Sequence, residues 1–578
     1  MESVFGRRAF LGASAVVSAG MLVGCQQNTP DTPPTEEQAS PIEPKLGAGV
    51  FAMTLSAAVG GLDPLLMTTA EQTLICRQIF KRLVGVDPNT GAPTQTELAT
   101  DWKVSDDQLT YTFTLVPGVK FHDGTACDAT AVVANFNRWI KLPLSIKAVR
   151  DGAMPDYFGH VFGTVTPASV TKGKATGRGS LAKVRARTKT VVELTLHEPL
   201  PGLLPALAHT AFSICSPTAL KKLNADRLNQ KSTRTPKGSH ISAFAEAPVG
   251  SGPYRLAEGS SAHKLDLTFV PQPSAATPAA QKPDVQHVKL RSYRNGYSRL
   301  RVLEQGKFNA FGDVTPEQLR PILQQGFKFL QRDPFSMAYL GINHEHPDLK
   351  RAKVRKLIQS ALDYNRLAGS YFLSGTQASK AFTPPALAVA TDAFPAPFFD
   401  ATQMEEELAD IKDLGAIPLY FPIDTSRTWL PMPERTALDI ANQLTEVGFT
   451  IRPTPVPWES GYLQRILTDK KVGLYLWGKT GAYRDPLDFL APILSGPGPA
   501  RGYKSSALDE LAEQMRHEEL AGTTRQELAA QISARLSEDV ACIPLCSPIS
   551  ALTLARQVQH YPTSPVLDEP FAAIRLAT

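Results

Sequence analysis

The feature that most constrains the fold is an alternation of strand-like and helix-like segments late in the chain. Strands are predicted at Ile417 to Phe421, Thr450 to Pro453 and Val472 to Trp477. Helices are predicted between them, at Glu434 to Val447 and at Tyr462 to Leu467. A strand–helix–strand–helix–strand order is typical of α/β proteins. We therefore expect this segment to form an α/β lobe of its own.

Similar elements are predicted elsewhere in the chain. Leu109 to Leu115 alternates apolar and polar residues at period two, which indicates a half-buried strand. Asp128 can cap a helix from Ala129 to Ile140. The remaining predictions are a strand at Thr190 to Leu196, a helix at Leu203 to Leu207, two helical stretches between Ser506 and Leu536, and a strand at Ile543 to Leu545.

The composition excludes several other classes of protein. With 43% hydrophobic and 20% charged residues among 578, the chain is not disordered, collagenous or a coiled coil. Its length favours several lobes over one compact domain. The formal net charge of +5 is too weak and diffuse to indicate a nucleic-acid partner, so we expect none.

The amino terminus is predicted to be an export signal. The pair Arg7-Arg8 precedes a short apolar run that ends in Leu22-Val-Gly-Cys25. The run is too short to span a membrane, which takes about 20 residues. It resembles a twin-arginine signal with a bacterial lipobox. We expect residues 1–24 to be removed, Cys25 to be lipidated and the proline-rich residues 25–45 to tether an extracytoplasmic protein to the cell membrane.

Two short patterns could suggest a metal site. Cys542 and Cys546 are about 13 Å apart if they lie on one strand, and no further ligands are close in sequence. His344 and His346 are followed by a proline, which prevents a helical metal motif. We therefore expect no metal and no cofactor. Because five cysteines remain besides Cys25, at least one thiol is expected to be unpaired.

A serine enzyme is an alternative from a different functional class. Ser180-Leu-Ala-Lys183 fits the Ser-x-x-Lys pattern, and Lys479-Thr480-Gly481 fits the third motif of penicillin-interactive enzymes. The middle Ser-x-Asn motif is missing. Ser180 also follows a loop rich in glycine and lysine, whereas a nucleophile of this type begins a rigid helix.

The order of several motifs resembles a known family, the extracytoplasmic peptide-binding subunits of ABC importers in the oligopeptide, dipeptide and nickel cluster (family 5). The resemblance covers about residues 46 to 560. The motifs that carry it are Gly61-Leu-Asp-Pro64, Phe121-His-Asp-Gly-Thr125, Pro248 to Tyr254, Leu303 to Phe308, Leu340-Gly-Ile-Asn343, Val354-Arg355, Ala361-Leu-Asp363 and Arg366.

The resemblance implies an α/β protein with the two-lobed type II fold of periplasmic binding proteins. A hinge joins the lobes, and Pro248 to Tyr254 matches the family's lobe-linking segment. The implied boundaries are lobe I at 46–65, 187–285 and 487–578, an amino-terminal subdomain at 66–186 inserted in lobe I, and lobe II at 286–486.

The resemblance also implies a function without catalysis. Such a protein, expected to be a monomer, captures an oligopeptide between closing lobes and delivers it to ABC permease subunits. A metal chelate or another small solute is the alternative ligand. The positions that match the family's ligand contacts are Thr68, Thr69 and Ala70 as one backbone-pairing edge, Gly478, Lys479 and Thr480 as the facing edge, and Trp458 as a cleft aromatic.

One departure from the family concerns the ligand's amino group. Many relatives place an aspartate shortly after the second edge, and Ala482 occupies that place here. Lys479 adds a positive charge nearby, which disfavours a protonated amine. The departure therefore predicts a cleft that does not depend on a free amino terminus of its ligand. The alternative is that Asp485 supplies the carboxylate.

Overall fold

The structure is a computed structural model, and it describes most of the chain after residue 45. The described residues are 46–577 without 88–89, 91, 147–154, 164–178, 229, 232–239, 273–281, 390–400, 412, 495–497 and 520–521.

The first sheet is built around the strand Val50–Leu55, whose side chains are almost all buried. It pairs in parallel with His287–Ser292 on one side and with Ala310–Phe311 on the other. In the described part of the chain this sheet has seven strands, in the order Tyr254–Leu256, Lys264–Phe269, His287–Ser292, Val50–Leu55, Ala310–Phe311, Ala551–Leu554 and Lys328–Gln331.

The second sheet contains the predicted α/β segment, which is confirmed. Strand Ile417–Ile423 pairs in parallel with Ile451–Pro457 and with the start of Leu474–Thr480. Helices Pro433–Glu446 and Tyr462–Thr468 connect these strands. Among the described residues the strand order is Gln377–Ala378, Ile543–Ser547, Ser336–Asn343, Leu474–Thr480, Ile417–Ile423 and Ile451–Pro457, with Ala500–Arg501 beside Ser336–Asn343.

A separate antiparallel sheet forms the amino-terminal part of the protein. Its four described strands are Ala99–Val104, Thr110–Leu115, Val191–Leu196 and Leu181–Ala186, in that order. Helix Ala129–Ser145 packs against it, and the Asp128 side chain accepts hydrogen bonds from the first amides of the helix, as predicted.

The other described helices lie around these sheets. They are Ala70–Ile79, Tyr157–Phe162, Leu203–Leu207, Pro217–Lys222, Ala243–Glu246, Gly296–Glu304, Pro316–Gln324, Ala352–Ser360, Tyr364–Tyr371, Ala401–Ala409, Pro486–Leu494, Ser506–His517 and Thr523–Asp539. Four two-stranded pairs are also described: Lys81–Arg82 with Ser213–Ile214, Gly85–Val86 with Pro93–Thr94, Gln230–Lys231 with His240–Ile241, and Val558–His560 with Arg575–Leu576. Short 3-10 helices are described at Pro64–Leu66, Thr210–Phe212, Pro385–Leu387, Trp458–Ser460 and Phe571–Ala573.

The strands divide the chain differently from the expected lobe boundaries. Residues 287–331 belong to the first sheet, although we expected them in lobe II. Residues 500–547 join the second sheet, and Val191–Leu196 joins the four-stranded sheet, although we expected both in lobe I. The physical reason is strand pairing between distant segments, which decides sheet membership.

The chain passes between the two large sheets at two neighbouring places, after Gln331 and after Ser547. The two crossings are hydrogen-bonded to each other, because Arg332 N donates to Ser550 O at 2.9 Å and Ser547 Oγ to Ser336 O at 3.0 Å. Paired crossings of this kind can act as a hinge.

The segment Pro248 to Tyr254 does not link the two sheets. Tyr254 begins an edge strand of the first sheet. Gly252 N donates to Ile79 O at 2.8 Å, and a Cβ atom at Gly250 would lie 2.1 Å from the same oxygen. The glycines are therefore needed for close packing on the end of helix Ala70–Ile79.

The thiols that the structure describes are all buried and free, which confirms an unpaired cysteine. They belong to Cys76, Cys127, Cys215, Cys542 and Cys546. Burial raises their pKa values, so the reactive thiolate is disfavoured.

The export signal, Cys25 and the tether lie outside the described residues. Within the described ranges, every helix is too short or too polar to cross a membrane.

Candidate ligand-binding site

A cavity of about 910 Å³ lies between the first-sheet and second-sheet units. The first-sheet side contributes the loop after Val50–Leu55, the start of helix Ala70–Ile79, residues 208–210 and Phe212. The second-sheet side contributes Arg427, Trp429 and the end of strand Leu474–Thr480. A cavity of this size accommodates a small ligand that contacts both units at once.

The structure brings all the sequence-predicted site residues to this cavity. Its lining includes Thr68, Thr69, Ala70, Trp458, Gly478, Lys479 and Thr480. Their individual roles differ from one another and, in part, from expectation.

The segment Thr68 to Ala70 is the start of a helix and not a strand edge. Thr69 is the N-cap of helix Ala70–Ile79 and forms a capping box with Gln72. Gln72 Oε1 accepts from Thr68 N at 2.9 Å and from Thr69 N at 3.1 Å. These two amides are therefore bonded within the chain, and backbone pairing of this segment with a ligand stays a prediction that would use its other backbone groups.

The segment Gly478 to Thr480 does end a strand, as the resemblance implied. It pairs with Ser336–Asn343 on one side, whereas the pairing with Ile417–Ile423 stops at Tyr475. The other backbone edge beyond Tyr475 therefore has no strand beside it among the described elements, and a ligand backbone can pair there.

Aromatic side chains form one wall of the cavity. Trp458 lies 6.4 Å from Trp429 and 5.9 Å from Tyr462, measured between ring centroids. A Cβ atom at Gly478 would lie 2.4 Å from the Trp429 ring, so glycine is required for this packing. The sequence prediction found Trp458 but missed Trp429, because no local pattern marks a tryptophan in an irregular loop.

A buried ion pair connects the two units beside the cavity. Arg427 donates two hydrogen bonds to Glu71, of 2.8 and 2.6 Å, and its guanidinium carbon lies 4.4 Å from the Trp458 ring centre. Burial disfavours the charged carboxylate, but Arg427 outweighs it and holds the pKa of Glu71 below its usual value. We call this pair the inter-unit latch.

Further contacts surround the latch. Ser56 Oγ lies 2.6 Å from Asp313 Oδ2 and 3.1 Å from Glu71 Oε1. Burial, assisted by the Glu71 charge and opposed by Arg427, raises the pKa of Asp313. Ser426 Oγ lies 3.1 Å from the Asp313 carbonyl oxygen. Ser56 and Asp313 belong to the first-sheet unit and Ser426 belongs to the second-sheet unit. The contact between Ser426 and Asp313 therefore also holds the two units together.

Glu459 provides a second bridge across the cavity. Its carboxylate accepts from Ala58 N at 3.1 Å and from the Arg294 guanidinium. Near the surface, Arg435 and Glu317 form another inter-unit pair at 2.5 Å. The two units thus meet through several polar contacts.

Lys479 and Asp485 do not have the surroundings that we expected. Lys479 Nζ lies 2.9 Å from Asp488 Oδ1, so its positive charge is paired. Asp485 is buried against Arg525 and is not among the described residues that line the cavity. The sequence prediction missed Asp488, which does line the cavity.

A neutral histidine lies in the cavity wall. His209 Nδ1 accepts from Ala211 N at 3.3 Å, and the ring lies 4.9 Å from that of Tyr157. Burial, together with the positive charges of Lys479, Arg82 and His160, lowers the pKa of His209 to about 3. This imidazole is therefore uncharged near neutral pH.

The serine-enzyme motifs are not assembled in this cavity. Ser180 is buried immediately before the strand Leu181–Ala186, so it does not begin a helix. Lys479, Thr480 and Gly481 line the cavity, but Ser180 is absent from its described lining. Ser180 and Lys479 are therefore not brought together in the described lining of the cavity.

Known relatives are similar to this chain over most of its length. The probable D,D-dipeptide-binding periplasmic protein DdpA of Escherichia coli (strain K12) is 23% identical over 523 residues, which is 88% of this chain and 90% of that protein. The glutathione-binding protein GsiB of Salmonella paratyphi A is 26% identical over 421 residues, which is 71% of this chain and 70% of that protein.

Solved structures show the same fold. The dipeptide binding protein from Pseudoalteromonas sp. SM9913, in complex with Met-Leu, superposes with a TM-score of 0.77 at 20% identity. The similarity covers 91% of this chain and all of that one. It confirms the predicted α/β fold with two lobes.

The family match agrees with the geometry of the cavity. The profile of the bacterial extracellular solute-binding proteins, family 5 Middle, matches residues 94–500, well over half of the chain. The matched range includes the second-sheet strands from Ser336–Asn343 to Leu474–Thr480 and the latch arginine, Arg427. The chain belongs to the family 5 bacterial extracellular solute-binding proteins.

Proposed function

We propose that this protein binds a peptide between two closing lobes and delivers it, without chemical change, to the permease of an ABC importer. The observation that carries the proposal is the cavity between two sheet units that the chain joins at two adjacent crossings. Relatives named for a D,D-dipeptide and for glutathione, and a structural neighbour holding Met-Leu, support a short peptide as the ligand.

The proposed lobes follow the sheets. Lobe I holds the first sheet and lobe II the second, and the four-stranded sheet with helix Ala129–Ser145 forms the amino-terminal subdomain. The hinge is the pair of crossings at residues 332–335 and 548–550. Only residues at the ends of sheet strands change conformation there, which is the usual form of a hinge.

Ligand binding shifts the protein towards the closed state in this proposal. A peptide that contacts Trp458 and the Gly478 to Thr480 edge also reaches the Thr68 to Ala70 side when the lobes are closed. Its affinity is then higher for the closed state, and that difference drives closure. The permease recognises the closed pair of lobes.

The proposal is tested by closure with a bound peptide. A peptide retained by the purified protein is identified by native mass spectrometry, removed by partial unfolding and added back. We expect a smaller radius of gyration in X-ray scattering and a gain in stability of about 2.7 kcal/mol at a hundredfold excess over Kd. A small non-peptide solute as the retained species, or peptide binding without compaction, would contradict the proposal.

We also propose that Cys25 is the lipidated first residue of the mature protein, which is expected to act as a monomer. The support is the sequence Leu22-Val-Gly-Cys25 followed by a proline-rich tether. Cys25→Ser is expected to release the exported protein from carbonate-washed membranes, as detected with antibody. Retention of the variant on those membranes would show that the anchor lies elsewhere.

A further inference from the structure

The carboxylates that line the cavity share one property. Each of them, within the described lining, already has a cationic partner from the same chain. The pairs are Asp63 and Asp226 with Arg138, Glu459 with Arg294, Asp488 with Lys479, and Asp568 with Arg77 and Arg82. A free ammonium group on a ligand therefore competes with a cation of the chain at each of these carboxylates, although Asp63 and the half-exposed Asp226 share one guanidinium.

The Asp488 pair differs from the others, because its cation comes from the ligand-facing strand itself. Asp488 lies in the first turn of helix Pro486–Leu494, and its Oδ2 accepts from Ala482 N at 2.6 Å. This bond fixes the orientation of the carboxylate. The other oxygen, Oδ1, lies 2.9 Å from Lys479 Nζ, so both oxygens are satisfied within the chain.

Lys479 is held in this position from several sides. Its backbone is paired with Met337 in the second sheet, and Nζ lies 6.0 Å from the centre of the Phe489 ring. The side chain is 17% exposed, and Asp488 is 6% exposed. The amino group of a ligand would have to displace the ammonium of Lys479 from the largely buried carboxylate of Asp488.

We infer that the ammonium of Lys479 occupies the place at Asp488 where the amino group of a ligand could otherwise bind, so that the protein selects peptides whose amino end is acylated or closed in an amide ring. This inference rests on the proposed peptide-binding function. Lys479 is then a specificity-determining residue.

The rest of the lining is consistent with such a ligand. Arg227 is exposed at the cavity and has no ion-pair partner in the part of the chain that the structure describes. The free edge beyond Tyr475 offers backbone groups, and His209 is neutral. Arg227, the backbone edge and neutral His209 therefore suit amide and carboxylate oxygens of a ligand better than a positively charged ammonium group of a ligand.

The test uses two matched probe pools. One is an equimolar pool of dipeptides to tetrapeptides with free amino ends, and the other is the same pool after N-acetylation. Full-length mature protein is exposed to each pool, and captured peptides are read by native mass spectrometry. Captured sequences are then measured by calorimetry in both forms. The proteins are wild type, Lys479→Met and Lys479→Arg, each checked for folding by circular dichroism and thermal unfolding.

We expect the wild type to bind an acetylated peptide at least tenfold more tightly than its free form. Lys479→Met frees Asp488 Oδ1, so its affinity for the free form should rise at least tenfold. Lys479→Arg keeps the charge and should keep the wild-type preference. If Lys479→Met does not fold, Lys479→Gln takes its place.

The possible failures are distinguishable. Equal or tighter binding of free peptides by the wild type, or no gain in the neutral variant, would overturn the role of Lys479 and leave the proposed function standing. Capture of neither pool by any folded protein would contradict peptide binding itself, and the inference with it.

Discussion

Replacing Arg427 with methionine is expected to destabilise the closed form by about 3–5 kcal/mol, because Glu71 then stays buried without a counter-charge. The two side chains are only 2% and 6% exposed, and they come from opposite sides of the cavity. The variant should show a larger radius of gyration in X-ray scattering and weaker peptide binding. Urea unfolding, followed by fluorescence of the tryptophans near the latch, measures the loss of stability.

Two controls separate the latch from general damage. Glu71→Gln combined with Arg427→Met removes both charges and should recover most of the lost stability. Removing both partners of a buried ion pair destabilises a protein much less than leaving one charge buried alone. Arg435→Met breaks the exposed inter-unit pair, whose side chains are 61% and 34% exposed, and should cost less than about 1 kcal/mol. Equal effects of Arg427→Met and Arg435→Met would contradict the latch.

The fold was predictable where the signal is local. The α/β segment between Ile417 and Trp477 is marked by periodicity and turn residues, and each of its elements is present in the structure. The lobe boundaries were not predictable in this way. Strand His287–Ser292 joins the first sheet through pairing with Val50–Leu55, and no short window of sequence records such a distant partner.

The candidate site shows the same division. The family resemblance predicted seven site residues, and all seven line one cavity in the structure. It did not indicate that Thr69 caps a helix. The Thr69-x-x-Gln72 spacing is a capping-box pattern and could have indicated this from the sequence. The latch and the Lys479–Asp488 pair carry no such pattern, because each is formed by packing between separate elements and by the charge balance of a buried surface.

Acidification is expected to destabilise the protein through His209. A histidine whose folded pKa is lowered contributes stability that is complete above its unfolded pKa, about 6.5, and is lost as the pH falls towards the folded pKa. With a folded pKa of about 3, the loss between pH 7 and pH 5 is about 2 kcal/mol, and it continues to grow down to about pH 3. Lys479, Arg82 and His160 add to the effect of burial, because each positive charge repels an imidazolium in the cavity wall.

The measurement is the free energy of unfolding against pH for the wild type and for His209→Gln, whose amide does not titrate. His517 has the opposite sign: the Glu513 carboxylate, which accepts a hydrogen bond from the imidazolium, raises the pKa of His517, so its contribution is present at low pH and is lost as the pH rises. That contribution is common to both proteins and cancels when their curves are subtracted. The difference should therefore rise by about 2 kcal/mol from pH 5 to pH 7 in favour of the wild type. Parallel curves would show that His209 titrates normally, and hence that the cavity wall is open to water at this position.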